Sequence, residues 1–186
     1  MDDVDIPSAS QTRLLGIARC TLEDLVRDRR RALENIDDPY LQTSAYGAFV
    51  SLHKADELRG CVGTCIPSAP LYQTVIDMTQ AAASRDHRVT PVNEDELSDI
   101  RIDISILSPL EFARDPLLLE VGRHGLHIAC GGRRGVLLPQ VATQQRWDIK
   151  TFLEQTCLKA GLPENAWKQP DTVVSSFSAL ILEEAL

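Results

Sequence analysis

The chain lacks any run of about 18 or more apolar residues, which excludes a membrane-spanning helix built from sequence alone. Its opening, Met1-Asp2-Asp3-Val4-Asp5, is acidic and has no apolar stretch. It reads as neither a secretory signal nor a transit peptide, so a cytoplasmic protein is expected. A surplus of positive charge is missing as well. The formal net charge is −8, which works against broad binding to a nucleic-acid backbone. Local arginine pairs, Arg85 with Arg88 and Arg133 with Arg134, leave a confined basic patch as the one route to RNA. Aromatic residues supply only 5% of the chain. No Walker-type phosphate loop occurs, and no Gly-x-Gly-x-x-Gly opens a helix. Cys130-Gly131-Gly132-Arg133-Arg134-Gly135 is glycine-rich, but strand patterns flank it and make it a turn. The five cysteines form no disulfide framework, because their number is odd and the compartment reads as reducing. Cys61 and Cys65 are four apart with no second close pair, so a structural zinc site is not expected. Neither a metal nor a cofactor is implied.

What is present is a globular chain of 186 residues, 44% hydrophobic and 25% charged, enough to build a core without staples. Leu14, Leu15, Ala18, Leu22, Leu25 and Val26 recur at helical spacing, predicting a helix from Ser8 to Arg31. Asp37-Asp38-Pro39 interrupts that pattern. Tyr46–Lys54 and Leu58–Ile66 read as two strands around a turn at Ala55-Asp56-Glu57. Leu71–Ala83 reads as a second helix, and Asn93–Leu97 as a short capped turn. In Ile100–Leu107, four isoleucines alternate with Arg101, Asp103 and Ser105, so one face is apolar and the other is polar. Val121–Ala129 and Arg134–Leu138 are expected to form a hairpin across Gly131-Gly132. Trp147–Lys159 reads as a third helix punctuated by Gly161 and Pro163, and Val173–Glu183 as one closing strand. Cys20 and Cys157 fall in helical patterns and read as small buried side chains. Trp147 and Trp167 read as packing residues. Short connections between mixed elements predict an α+β fold with a mainly antiparallel sheet flanked by helices. The chain reads as a single domain, 1–186.

The segment Leu58-Arg59-Gly60-Cys61-Val62-Gly63 carries the chemistry. Glycine lets other groups approach the backbone closely, and a fixed cation beside a thiol favours the reactive thiolate. Cys61 is the candidate nucleophile and Arg59 a candidate clamp for an anion, with Gly60 and Gly63 shaping the turn around them. A buried, inert cysteine and an ordinary salt bridge of Arg59 to Asp56, Glu57 or a helix are the plainer readings of the same residues. Asp86 and Arg88 read as a ligand-binding pair or as a loop brace. His124, beside Gly122 and Gly125, is a candidate base toward Cys61. His124 and His127 are three apart, which on a strand directs them to opposite faces and argues against a shared metal. His53 and His87 read as surface residues.

The chain resembles the AMMECR-type domain family, the protein-A component of the AmmeMemoRadiSam system. The resemblance rests on an ordered set of motifs: Gly47-Ala48-Phe49-Val50, Leu58 to Thr64, Asp86 to Val92, Val121 to Leu126, Leu138 to Ala142, and Lys159 to Leu162. It departs where the family has Asp-Pro-Arg-Phe and this chain has Asp86-His87-Arg88-Val89. The resemblance implies a two-lobed fold with a smaller lobe and the cysteine motif near a groove between lobes. It also implies association with a Memo-like protein and a radical-SAM enzyme, and it brings no particular reaction. Three expectations follow: an accessory component that binds a partner or substrate, a thiol-dependent enzyme acting through Cys61 on a small anionic substrate, and an RNA-binding protein.

Overall fold

The computed structural model describes residues 3–29, 35–55 and 57–185. The chain divides into two compact units, residues 4–107 with 180–186, and residues 1–3 with 108–179. Each has its own antiparallel sheet and its own core, so the molecule is mixed helix and antiparallel sheet.

In the unit formed by residues 4–107 and 180–186, helices α1 (Ser8–Val26), α2 (Pro39–Gln42) and α3 (Leu71–Ser84) accompany strands β1 (Gly47–Lys54), β2 (Glu57–Thr64) and β3 (Ile100–Leu107). The last strand of the chain, β8 (Ala179–Glu183), completes the sheet in the order β2-β1-β3-β8. The isoleucine alternation of β3 does what its period demands: Ile100, Ile102, Ile104 and Ile106 are all buried. They meet Ala48, Val50 and Leu52 of β1, Leu14, Ala18 and Leu22 of α1, and Leu71, Val75 and Ala82 of α3 in one cluster. Each fully buried leucine or isoleucine there is worth about 1.5–3 kcal/mol. Arg19 of α1 ties the far end of the sheet. Its guanidinium forms a two-pronged ion pair with Glu184 and also donates to the carbonyls of Leu97 and Ile100.

In the other unit, β4 (Glu111–Phe112), β5 (Gly125–Cys130), β6 (Arg133–Leu137) and β7 (Val173–Phe177) form a sheet in the order β4-β7-β5-β6. Helices α4 (Pro139–Gln144) and α5 (Ile149–Lys159) accompany it. Leu126, Ile128, Leu137, Phe152, Leu153, Cys157 and Val174 make its core, with Trp147 and Trp167 packed against them. The expected β5–β6 hairpin turns at Gly131 and Gly132, both at positive φ.

Several expectations need correction. The first helix ends at Val26, and Arg31 lies outside the described residues, as does Asp56 of the expected turn. The strand expected from Val121 begins only at Gly125, because residues 121–123 turn. The single closing strand is two, β7 and β8, which belong to different sheets. Ser178 marks the break: it donates its N–H to Ser108 Oγ at 2.9 Å and accepts the Ser108 N–H at 3.0 Å. An unbroken polar–apolar period hides such a switch. The short β4, α2 and α4 were not expected; two start on proline at the first helical turn, a position that suits it. Cys20 is exposed rather than buried, whereas Cys157 is buried. Among the described residues no helix is long and apolar enough to cross a membrane.

Candidate functional site

Cys61 lies on β2, where antiparallel pairing sets it opposite Ser51 of β1. The pairing slips between Leu52 and His53, since Leu52 faces Gly60 while His53 faces Leu58. Arg59 is therefore the extra residue of a β-bulge, which re-aims its side chain off the ladder. The two glycines are required by packing. A Cβ at Gly60 would stand 2.1 Å from the carbonyl oxygen of Ala82 on α3, and one at Gly63 would stand 2.2 Å from the Phe49 ring. Glycine at these two positions lets α3 and an aromatic ring close on opposite faces of β2.

Two ion pairs then hold the cysteine segment. Asp86, almost wholly buried, accepts the Cys61 N–H at 2.9 Å. The same carboxylate takes a forked bond from Arg88, Nε to Oδ1 at 2.9 Å and Nη2 to Oδ2 at 2.6 Å, and the Arg88 N–H at 3.1 Å. Arg88 Nη2 also donates to the Cys61 carbonyl at 2.9 Å. Cys61 is thus gripped through both of its backbone polar groups. The Arg88 guanidinium, with the N–H groups of Cys61 and Arg88, holds the Asp86 carboxyl far below the usual carboxylate range against the opposing cost of burial. Arg88 itself is raised, chiefly by Asp86 and in smaller part by the Cys61 side chain. Its side chain is 63% exposed.

Arg59 is engaged elsewhere. Its Nε and Nη2 each reach Glu96 at 2.9 Å, and both side chains are largely buried. Glu96 also caps its own short helical turn by accepting the Asn93 N–H. The Arg59 fork first, then that N–H, hold the Glu96 carboxyl down to about 2 against its burial. The planar donor fork expected to clamp a ligand is filled by a residue of the protein. Sequence reasoning could not select Glu96 among nearby acids, since the bulge that turns Arg59 toward it leaves no compositional trace.

The cation beside the sulfur is accordingly Arg88, 27 positions away in sequence. Sequence reasoning pairs Arg88 with Asp86 at the same candidate site, but misses Ser51, whose hydroxyl donates to Cys61 Sγ at 3.1 Å. The period-2 pattern of β1 and β2 carried that signal once their register was known. Cys61 is half-buried. Cys65 is buried, and burial pushes its thiol up to about 11. Of the two cysteines in this stretch, Cys61 is the one with a hydroxyl and a guanidinium beside its sulfur.

His124 belongs to the other unit and precedes β5. Its Nδ1 accepts the Glu120 N–H at 2.8 Å, closing the turn that delays the strand. Burial, then the nearby Arg123, push its imidazole below the usual histidine value. His53 is not an open surface residue: its Nε2 lies 3.2 Å from Asp103 Oδ2. Among the described residues no group of three or more histidine, cysteine or acidic side chains is placed to hold a metal ion.

Known proteins share this architecture. The AMMECR1 family model matches residues 15–182. A protein of Methanothermobacter thermautotrophicus is 40% identical over 177 residues, 92% of each chain. Protein TK0174 of Thermococcus kodakarensis is 39% identical over 181 residues, covering 92% of this chain and 88% of its own. The crystal structure of the uncharacterized protein PH0010 from Pyrococcus horikoshii superposes with a TM-score of 0.88 at 33% identity, over 96% of this chain and 93% of that one. The motif order, the two-sheet architecture and these likenesses agree: the chain belongs to the AMMECR1 family.

Proposed function

We propose that this protein is an accessory component of a radical-SAM-linked pathway of the AmmeMemoRadiSam kind, presenting a binding patch at Cys61 to a partner or an anionic substrate group. The observation that carries this reading is the Asp86–Arg88 clamp on both backbone polar groups of Cys61. It fixes the thiol and an exposed guanidinium in one place before anything binds, which lowers the ordering cost of recognition. The natural partners are a Memo-like protein and a radical-SAM enzyme from the same system. The reading is tested by co-purifying the chain with each of these at low salt. Wild type is expected to retain one of them and Arg88→Glu to lose it; no retention by wild type refutes the accessory role.

A second reading, a thiol-dependent enzyme, is favoured by a separate observation. Ser51 donates a hydrogen bond to the Cys61 sulfur while Arg88 stands beside it, so a donor and a cation face the same atom. Here Cys61 is the nucleophile and Arg88 the anion anchor. The Arg88 fork is held by Asp86 as that of Arg59 is by Glu96, but its side chain is largely exposed where that of Arg59 is largely buried. Iodoacetate, which carries a carboxylate, should then alkylate Cys61 faster relative to iodoacetamide in wild type than in Arg88→Gln. Equal ratios in the two proteins would remove Arg88 from that role.

A further inference from the structure

The sheet face that carries Cys61 holds a second set of reactive groups. Strand alternation and register place Ser51 and His53 of β1, and Arg101 and Asp103 of β3, on that same face. Ser51 is the cross-strand partner of both Cys61 and Asp103, so a thiol, a hydroxyl and a carboxylate stand in a row across three strands. His53 stands one pleat further along β1. Its Nε2 is 3.2 Å from Asp103 Oδ2, and the two side chains are 24% and 16% exposed. Arg101 Nε lies 3.3 Å from the other oxygen of Asp103, and neither of those two buried atoms has a hydrogen-bond partner among the described residues. Glu183 of β8 adds its negative charge to the field at Asp103.

An imidazole with its proton on Nε2, the nitrogen beside that carboxylate, would keep Nδ1 as an acceptor, a tautomer assigned from the partner. His53 follows Ser51, the cross-strand partner of Cys61, by two positions on the same face of β1, with the bulge at Arg59 between the two pairs. A reacting group or one water is the bridge this site would place between sulfur and ring.

We propose that His53, oriented by Asp103, is the general acid–base of a thiol site in which Cys61 is the nucleophile. The substrate class is an acyl compound, an ester or thioester, with an anionic group seated against Arg88. The proton of the Cys61 thiol passes to His53 Nδ1. The sulfur electron pair forms a carbon–sulfur bond with the acyl carbon. The bond to the leaving alcohol or thiol breaks with its electron pair, and that group takes the proton from His53. One acyl group moves to Cys61, and one alcohol or thiol leaves. This inference rests on the thiol reading and is independent of the accessory role.

The test follows Cys61 alkylation by iodoacetamide from pH 5 to 9 in the full chain, read by peptide mass. His53→Gln is expected to slow the reaction near neutral pH roughly tenfold and to remove the lower inflection of the pH–rate profile, with Asp103→Asn in between. A His53→Gln profile superimposed on that of an activated wild type overturns the inference and leaves the thiol reading standing. A wild-type Cys61 that reacts like free cysteine overturns both. Should a variant fail to fold, the wild-type protein still decides the matter: alkylating Cys61 is expected to move the NMR titration of the His53 ring, and an unmoved titration overturns the proposal. Acylation by a nitrophenyl ester bearing a carboxylate should fall in the same order, and equal rates in wild type and His53→Gln overturn the acid–base role.

Discussion

Gly60 and Gly63 flank the same cysteine, yet they yield to different obstacles. At Gly63 the nearest obstacle is the Phe49 ring, 2.2 Å from the added Cβ and part of a side chain that can be shortened, with the Ala48 carbonyl oxygen a second obstacle at 2.6 Å. Gly63→Ala is expected to cost about 1–3 kcal/mol through overpacking, and Phe49→Ala in the same chain should recover part of that. At Gly60 the obstacle is the Ala82 carbonyl oxygen, which is main chain, so Gly60→Ala should destabilise more and no change at residue 82 should relieve it. Urea unfolding of the singles and the Gly63/Phe49 double decides this; equal rescue at both positions refutes the assignment. Asp86→Ala removes the acceptor of the Cys61 N–H and the partner of Arg88. A loss of about 1–3 kcal/mol is expected, whereas Arg88→Gln, at a largely exposed side chain, should cost under about 1 kcal/mol. The same urea midpoints compare the two.

At the scale of elements, the β2 bulge and the short turn at Glu94–Glu96 act as one fastening through Arg59 and Glu96. The depressed Glu96 carboxyl sets the sign of its pH dependence. The unfolded chain binds a proton at an ordinary carboxylate value and the folded chain only near 2, so the stabilisation is complete above about pH 4.5 and drains away between there and pH 2. Glu96→Gln should lower the neutral-pH thermal midpoint and flatten its acid decline; a parallel decline in both proteins refutes the linkage. In the other unit the sign concerns histidine. Burial, the leading cause for both His124 and His127, depresses each ring. The unfolded chain therefore takes up protons first, and hydrogen-exchange protection of β5 should weaken as pH falls below about 6.5. The elements themselves were largely legible in sequence, because the periods of Ile100–Leu107 and of Leu14–Leu22 are direct records of burial. What escaped was decided by contacts between distant positions. The β7–β8 break turns on one serine pair, the Arg59 partner on a bulge, and the Ser51 contact with the Cys61 sulfur on strand register. The AMMECR-type resemblance found the Cys61 segment and the Asp86–Val92 tract that grips it, but not Ser51 at its sulfur.

At the scale of the whole molecule, one unit is built from two stretches of chain far apart in sequence. Its sheet and helices come from residues 4–107, and its last strand comes from the C-terminal end. Leu182 lies in its core and Glu184 holds Arg19. Deleting residues 180–186 should therefore loosen α1 and β3 while leaving β5 and β6 protected, as read by hydrogen exchange; uniform loss across both sheets would refute a separable closure.

The serine pair where the chain leaves β3 and approaches β8 has a modular consequence. Ser108 and Ser178 exchange hydrogen bonds, so seventy positions of polypeptide depart and return through a doorway one bond wide. A segment with adjoining ends can be exchanged without stretching its host. Replacing the loop-out between those serines with a tight reverse turn is a graft the β2-β1-β3-β8 layer is shaped to accept, and the Cys61 row would travel with the host.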